Sequence, residues 1–340
     1  MGNAKHSDRQ SRHRHRRMPL HKRIGLHRGK LRRNASKKRY DDAHNPNTEV
    51  MDRVRNGEFS PSPLPVFLMH GVNVRDYSLY ESPLWGRIPD ELRAQGNSAW
   101  FSNQDAWGTI ESNARESREN FLRMLDISGQ EKTHIVAHSK GGLDAYGLLQ
   151  IPGVLEHVSS VTTLGTPRQG FKIFDAFVNS PLFIPDVINF FIRNEALREG
   201  DANPDPVEVY HEFTTEYSRE HATDYSKVPG IFYHSFAFVP SEKGVRTFDL
   251  RRMIISLFDG ENDGIVPLWS SADDYLTVVH TEDGKYFDHG DDYDVRRRDV
   301  KLYLPDGTVF DNSAQMIASL VRHLDGLQAE KDRTGDQQSS

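Results

Sequence analysis

THIVAHSKGG, residues 133–142, is an apolar, strand-forming run that ends on a serine and passes directly into a helical stretch reaching Leu149. A serine hydroxyl is a weak nucleophile unless a base removes its proton and the chain holds its oxygen clear, and a tight strand-to-helix turn does the second. Such a turn crowds strand and helix around the serine, so the positions two before and two after it must be small. Here they are Ala137 and Gly141, with Gly142 behind, an A-x-S-x-G version of G-x-S-x-G. The competing reading makes Ser139 an ordinary N-cap in a βα turn.

Short apolar runs alternate with helical stretches on either side, the pattern of an α/β sheet. PVFLMHG (65–71) reads as a buried strand entering a glycine turn, SAWFSNQ (98–104) as a second strand, and SSVTTLGT (159–166) and IFYHSFAF (231–238) as further ones. Gly108-Thr109 opens a helix in which Ile110, Ala114, Phe121, Leu122 and Leu125 share a face. VKLYLPDGTVF (300–310) has the composition of a hairpin, Asn312 and Gln315 resemble a capping box, and Met316, Ile317, Leu320, Val321 and Leu324 form one helical face.

A serine nucleophile requires an oxyanion hole of two backbone amides, one just after the serine and one from a loop after an earlier strand. Lys140 N–H meets the first condition and Val72 N–H, following His70-Gly71, meets the second; His70 is expected to brace that loop. The acid and base should follow in the order Asp, then His. Asp263 in LFDGENDGIVP and His289 in FDHGDD satisfy the order, with Asp259 and His280 as rivals; His138 is expected to pack beneath the turn.

With these residues assembled, the sequence resembles the bacterial triacylglycerol lipases and related esterases of the α/β-hydrolase fold. The resemblance rests on PVFLMHG (65–71), LWGRIPDEL (84–92), DAWGTIESNA (105–114), HIVAHSKGGLDA (134–145), VTTLGTPRQG (161–170), FTTEY (213–217), VPGIFYHSFAF (228–238), NDGIVP (262–267) and DHGD (288–291). It implies a mostly parallel central sheet with helices on both faces, a Ser139–Asp263–His289 triad cleaving carboxylic esters such as acylglycerols, and Val72 and Lys140 amides holding the oxyanion. A cap or lid over about residues 171–228 follows by the same analogy; the alternative for the Phe- and Ile-rich stretch 171–192 is a buried helical pair. Where the family often has Thr-Pro-His-Arg-Gly, this chain has Thr166-Pro167-Arg168-Gln169-Gly170. No cofactor is expected to be required. Some related lipases place a calcium ligand two residues after the histidine, which would make Asp291, with Asp249 as partner, candidates for Ca2+; a solvated turn of Asp291, Asp292 and Asp294 is the alternative. The same triad could serve a phospholipase, thioesterase, polyester depolymerase or acyltransferase.

The 340 residues divide sharply by charge. Residues 1–40 hold fifteen of the 43 Lys+Arg against one acidic residue, Asp8, a net of +14, while the remainder carries −20, giving −6 overall. With so little periodic hydrophobicity, residues 1–50 are expected to be a disordered basic tail. It reads either as an arm for anionic lipid or nucleic acid, or as a solubilising tail; a scaffold acting through it is the non-enzyme alternative. The hydrolase domain is expected over 55–326 and a disordered polar C-terminus over 327–340. The absence of cysteine excludes thiolate catalysis, disulfides and Cys-ligated zinc. With no signal peptide and no apolar run of about 18 residues, the chain as written is expected to be cytoplasmic, with secretion left open.

Overall fold

The computed structural model describes residues 47–59, 63–76, 84–222, 228–241 and 250–338. Its centre is an eight-stranded sheet of order β2-β1-β3-β4-β5-β6-β7-β8. The strands are β1 (Val66–Met69), β2 (Ala99–Phe101), β3 (Thr133–His138), β4 (Val158–Leu164), β5 (Phe232–Val239), β6 (Leu276–Thr281), β7 (Leu302–Tyr303) and β8 (Val309–Phe310). The first six are parallel, and β7 and β8 close one edge as an antiparallel hairpin. Strands β1, β3 and β4 are buried at every position, as apolar and small residues on both faces require of central parallel strands.

The two-residue period of a strand sorts side chains into two cores. Phe67, Met69, Ile135 and Ala137 face one layer with Trp100, Phe121 and Leu148, whereas Val66, Leu68 and Val136 face the other with Trp85, Ile317 and Val321. The first layer is built by α1 (Thr48–Arg55), α3 (Ile110–Ser128) and α4 (Lys140–Leu149), and the second by α2 (Ile88–Ala94) and α11 (Ser313–Gln338). Helix α3 starts where its sequence says it should: the Thr109 side chain accepts from Ser112 N, and Gly129 ends the helix in the left-handed region. Burial of Phe121, edge-on to Phe67 at 5.5 Å, contributes about 1.5–3 kcal/mol.

Both expected domain boundaries move outward. Residues 1–46 of the basic tail lie outside the described residues, but Thr48–Arg55 is a helix whose Val50 and Met51 enter the core. Its Asn47 exchanges two hydrogen bonds with the Phe101 backbone, at 2.7 and 2.8 Å. At the other end, residues 327–338 continue α11 rather than forming a disordered terminus. Polar contacts hold them where apolar periodicity runs out: Ser159 Oγ donates to Gln328 at 2.7 Å, and Lys331 reaches the Gly230 carbonyl at 2.8 Å. The Asn312–Gln315 box is half formed, Asn312 Oδ1 accepting from Gln315 N at 3.0 Å while the Gln315 side chain accepts from Asp311 N.

Between β4 and β5 the chain builds short helices, α5 (Lys172–Val178), α6 (Pro185–Ile188), a π-turn Asn189–Arg193, α7 (Asn194–Arg198), α8 (Pro206–Glu212) and α9 (Thr215–Glu220). After β5 comes α10 (Leu250–Asp259), packed against α5. Leu182, Phe190 and Phe191 are exposed, so the stretch after α5 is not a buried helical pair. Among the described residues, no helix is long and apolar enough to cross a membrane.

Candidate active site

Ser139 sits between the end of β3 and the start of α4 with φ 56° and ψ −131°, a backbone that L-residues avoid and that persists only where the surroundings impose it. The crowding expected of such a turn is measurable. A methyl on Gly141 would lie 2.3 Å from the Met69 carbonyl oxygen and 2.4 Å from that of His70, so only glycine lets α4 approach β1. Ala137 is fully buried in the layer beneath. Thr166 Oγ1 donates to the Ser139 carbonyl at 2.9 Å, a support that the sequence reading did not single out.

The loop after β1 runs alongside. A methyl on Gly71 would come within 2.8 Å of Ser139 Cβ, which brings the following Val72 into the neighbourhood of the serine. His70 is buried with Nδ1 2.8 Å from the Gly71 carbonyl and Nε2 3.2 Å from that of Gln104, while Gln104 donates back to the His70 carbonyl at 2.9 Å. It is bound into the loop frame. Lys140 N is the first amide of α4, one of the orphan donors at a helix start.

Asp263 and His289 are buried and paired, Asp263 Oδ2 lying 2.8 Å from His289 Nδ1. Asp263 Oδ1 accepts from the amides of Ile265 and Val266 at 2.9 and 2.8 Å, which fixes the carboxylate. The Nε2 atom of His289 is buried and has no hydrogen-bond partner. The rivals are placed elsewhere: Asp259 accepts from Lys172 N and Ile173 N at the start of α5, and His280 is an exposed residue of β6. His138 is buried beside the histidine loop, its Nε2 3.0 Å from the His289 carbonyl oxygen and its ring between His289 and Tyr293. Burial, then the neighbouring His289, holds it well below the usual imidazole range.

A second acid joins the pair. Asp292 Oδ2 is 3.2 Å from the same Nδ1, and the residue is fully buried. Burial and then the charge of Asp263 push its carboxyl well above the usual range. Burial opposes a charge on His289, but Asp263 and Asp292 outweigh it and raise the imidazole to about 10. The sequence signal for Asp292 was its place three residues after His289 in an acidic loop, where it was read as part of a solvated turn.

That turn is not solvated: Asp291, Asp292 and Asp294 are all buried. Asp294 holds Arg87 through bonds of 2.7 and 2.9 Å. Asp291 Oδ2 accepts from Asp288 N at 3.1 Å and faces Arg298 at 3.2 Å and Arg296 at 3.4 Å; Arg296 also binds Asp288. Calcium needs six to eight oxygens, and here two guanidinium groups face Asp291 Oδ2, while Asp291 Oδ1 is buried without a hydrogen-bond partner. Among the described residues, the cluster of His and acid side chains close enough to share a metal is His138, His289 and Asp292, without Asp291. The calcium candidate Asp291 thus has one oxygen set against guanidinium groups, and the other candidate, Asp249, lies outside the described residues.

Behind the serine, Lys140 is buried with Nζ 2.6 Å from Asp144 and 3.9 Å from Glu212 of α8. Glu212 accepts from Ile110 N at 2.7 Å, and burial, against the pull of Lys140, pushes it up to about 7. Arg75 pairs with Asp201 at 2.7 Å, and Asp201 accepts from Ala106 N and Trp107 N. These contacts join the segments between β4 and β5 to the loop after β1 and to α3. A cavity of about 1430 Å³ between α3, α4 and α9 is lined by Glu212 and Tyr217 but by none of Ser139, Asp263 and His289.

No family model matches the chain. It is similar to triacylglycerol lipases of Pseudarthrobacter phenanthrenivorans and Burkholderia plantarii, each 28% identical over 127 residues, 36% of this chain. The match takes in only about a third of the length of these relatives, 37% and 33% respectively. The Staphylococcus hyicus lipase superposes with a TM-score of 0.51 over 82% of this chain and 97% of its own, at 15% identity. The mature Bacillus licheniformis lipase BlEst2 gives 0.50 over 68% and 87%, at 20% identity. The fold is that of the α/β-hydrolases. Within an α/β-hydrolase sheet, the carboxyl ends of the parallel strands are the expected place for a nucleophile, an acid and a histidine. Ser139 follows β3 there, and Asp263 and His289 lie in loops after β5 and β6.

Proposed function

We propose that the chain is a serine hydrolase of carboxylic esters, lipase-like, using Ser139, His289 and Asp263. The observations that carry the reading are the forced backbone of Ser139 and a buried imidazole whose Nδ1 is committed to Asp263 while its Nε2 has no hydrogen-bond partner. With that nitrogen occupied, Nε2 takes the hydroxyl proton as Ser139 Oγ attacks the ester carbonyl. Asp263 orients the ring and stabilises the imidazolium, and the amides of Val72 and Lys140 receive the oxyanion. Collapse of the tetrahedral intermediate passes the proton from Nε2 to the leaving alcohol. Water, activated by the same histidine, then cleaves the acyl-enzyme.

Acylglycerols are the favoured substrate class, supported by the similarity to triacylglycerol lipases and by exposed apolar side chains on both helical segments after β4 and β5. The segments over 172–220 are read as a cap whose apolar edge meets a lipid interface. Ser139→Ala is expected to lower p-nitrophenyl ester turnover by at least about 1000-fold and to abolish labelling by a fluorophosphonate, with an unchanged thermal midpoint. Turnover retained by a clean preparation of that variant would refute the assignment. A chain-length series, dissolved and emulsified, tests the lipid preference.

A further inference from the structure

The loop that follows β1 carries Val72, and three buried side chains outside Ser139, Asp263 and His289 govern where that loop lies. Asp105 begins the DAWGT stretch after β2, Asp201 stands between α7 and α8, and Arg75 belongs to the loop itself. A charge removed from water is tolerated only beside partners that replace its hydration, and here the two acids find them in each other's backbone. Asp201 accepts from the amides of Ala106 and Trp107, both at 2.9 Å, while Asp105 accepts from Ala202 N at 2.9 Å and Asn203 N at 2.6 Å. Each acid therefore grips the segment that carries the other. The seam continues with Asp205 N donating to the Trp107 carbonyl at 2.7 Å.

The loop after β1 is fastened to this seam just beyond Val72. Arg75 Nη1 donates to Asp201 Oδ1 at 2.7 Å and lies 3.7 Å from Asp105. Asn73, the residue after Val72, has φ 62°, a backbone that a residue with a side chain keeps only where its surroundings impose it. Its N–H donates to the Ala106 carbonyl at 3.2 Å, and Trp107 Nε1 donates to its Oδ1 at 3.3 Å. Ala106 and Trp107 are the residues whose amides Asp201 takes. Asp201 thus acts on the loop twice, through Arg75 and through the backbone that holds Asn73. We propose that Asp201 is a positioning residue for ester hydrolysis, which keeps Val72 N–H directed at the oxyanion. The proposal rests on the ester-hydrolase reading and adds to it that one oxyanion donor is set from outside the sheet, by the segment between α7 and α8. The Lys140 amide comes with the start of α4, whereas the Val72 amide needs Asp201 in place.

The test uses the full chain, with active sites counted by labelling to completion with a fluorophosphonate so that kcat refers to folded protein. Asp201→Asn keeps the size of the side chain but gives up the ion pair with Arg75. It is expected to lower kcat on a short-chain p-nitrophenyl ester by roughly 100-fold per labelled site, the scale of one misplaced oxyanion donor, with KM within about two-fold of wild type. Inhibition by an alkyl boronic acid, whose tetrahedral adduct on Ser139 places an oxygen in the hole, should weaken by a similar factor, while inhibition by a short-chain carboxylate product should not move. A merely structural role predicts fewer labelled sites and a lower thermal midpoint with kcat per site unchanged, and that result would overturn the proposal. If Asp201→Asn does not fold, Arg75→Lys decides: it keeps a cation near both acids without the rigid guanidinium plane, and is expected to lower kcat per site at least about five-fold at unchanged KM. Wild-type kcat per site in that variant would also overturn the proposal. Turnover lost in Ser139→Ala but kept in Asp201→Asn removes the positioning role alone. A wild-type chain without ester turnover removes it together with the reading on which it rests.

Discussion

At the scale of single residues, the histidine is the unusual member of the site, because two buried carboxyl groups share its Nδ1. They are also close to each other: a methyl on Gly165, which has φ +51°, would meet Asp292 Oδ2 at 2.5 Å and Asp263 Oδ2 at 3.0 Å. Two carboxylates so placed cannot both ionise cheaply, and the fully buried Asp292 is the one pushed upward. Its partial charge still adds to that of Asp263 in raising His289. A base must be neutral to accept a proton, so the rising limb of kcat/KM with pH should sit above the ordinary imidazole range. Asp292→Asn removes one source of the rise and should move that limb to lower pH by on the order of one unit, raising the neutral fraction at pH 7. An unmoved limb in a pH–rate profile would show that Asp292 does not face the working imidazole. Ser139, Asp263 and His289 could be singled out as candidates from the strand-to-helix turn and from turns that follow in the order Asp, then His, and the fold pairs Asp263 with His289. Asp292 could not, because its approach to His289 is a matter of how the acidic loop folds, with the neighbouring Asp288 and Asp291 turned to Arg296 and Arg298 instead.

At the scale of elements, α8 is tied to the start of α3 and to the first residue of α4 by one side chain, Glu212. Its proton affinity is higher in the fold than in the unfolded chain, about 7 against 4.5. Glu212 therefore costs nothing extra below about pH 4.5, and its contribution to stability is lost as pH rises through about 7. Glu212→Gln keeps the hydrogen bond to Ile110 N but cannot ionise. Urea unfolding should find this variant close to wild type at pH 5 and more stable by on the order of 2 kcal/mol at pH 8. Equal stability of the two at pH 8 would contradict the burial argument. The helices α3 and α4 could be read from caps and apolar periodicity, whereas the end of α11 could not. Its last turns are polar and are held by Ser159 and Gly230, residues distant in sequence. The helices between β4 and β5 are likewise shaped by tertiary contacts, their sequence showing little beyond Pro185 and Pro206 at two helix starts.

At the scale of the whole molecule, the arginines of the histidine loop bear on metal dependence. Arg296 and Arg298 neutralise Asp288 and Asp291 from within the chain, where a divalent ion would otherwise be needed to hold the acidic loop. Incubation with EDTA should leave the thermal midpoint and ester turnover unchanged, and added Ca2+ should raise neither. A midpoint lowered by EDTA and restored by Ca2+ would show that Asp249 and other residues complete a site around Asp291. The overall charge of −6 conceals a sharp division, +14 over residues 1–40 against −20 over the remainder.

The sequence by itself determined the strand-serine-helix turn and the parallel sheet around it, because these depend on neighbours in the chain: small residues beside Ser139, apolar runs, turn glycines. Only the tertiary structure decided what crosses between elements. It placed Asp292 against His289, Thr166 under the Ser139 carbonyl, Glu212 and Asp144 around Lys140, and arginines against the acidic residues after His289. The reason is physical: a buried charge is tolerated only beside a partner, and partners drawn from distant segments leave no periodic trace in the sequence.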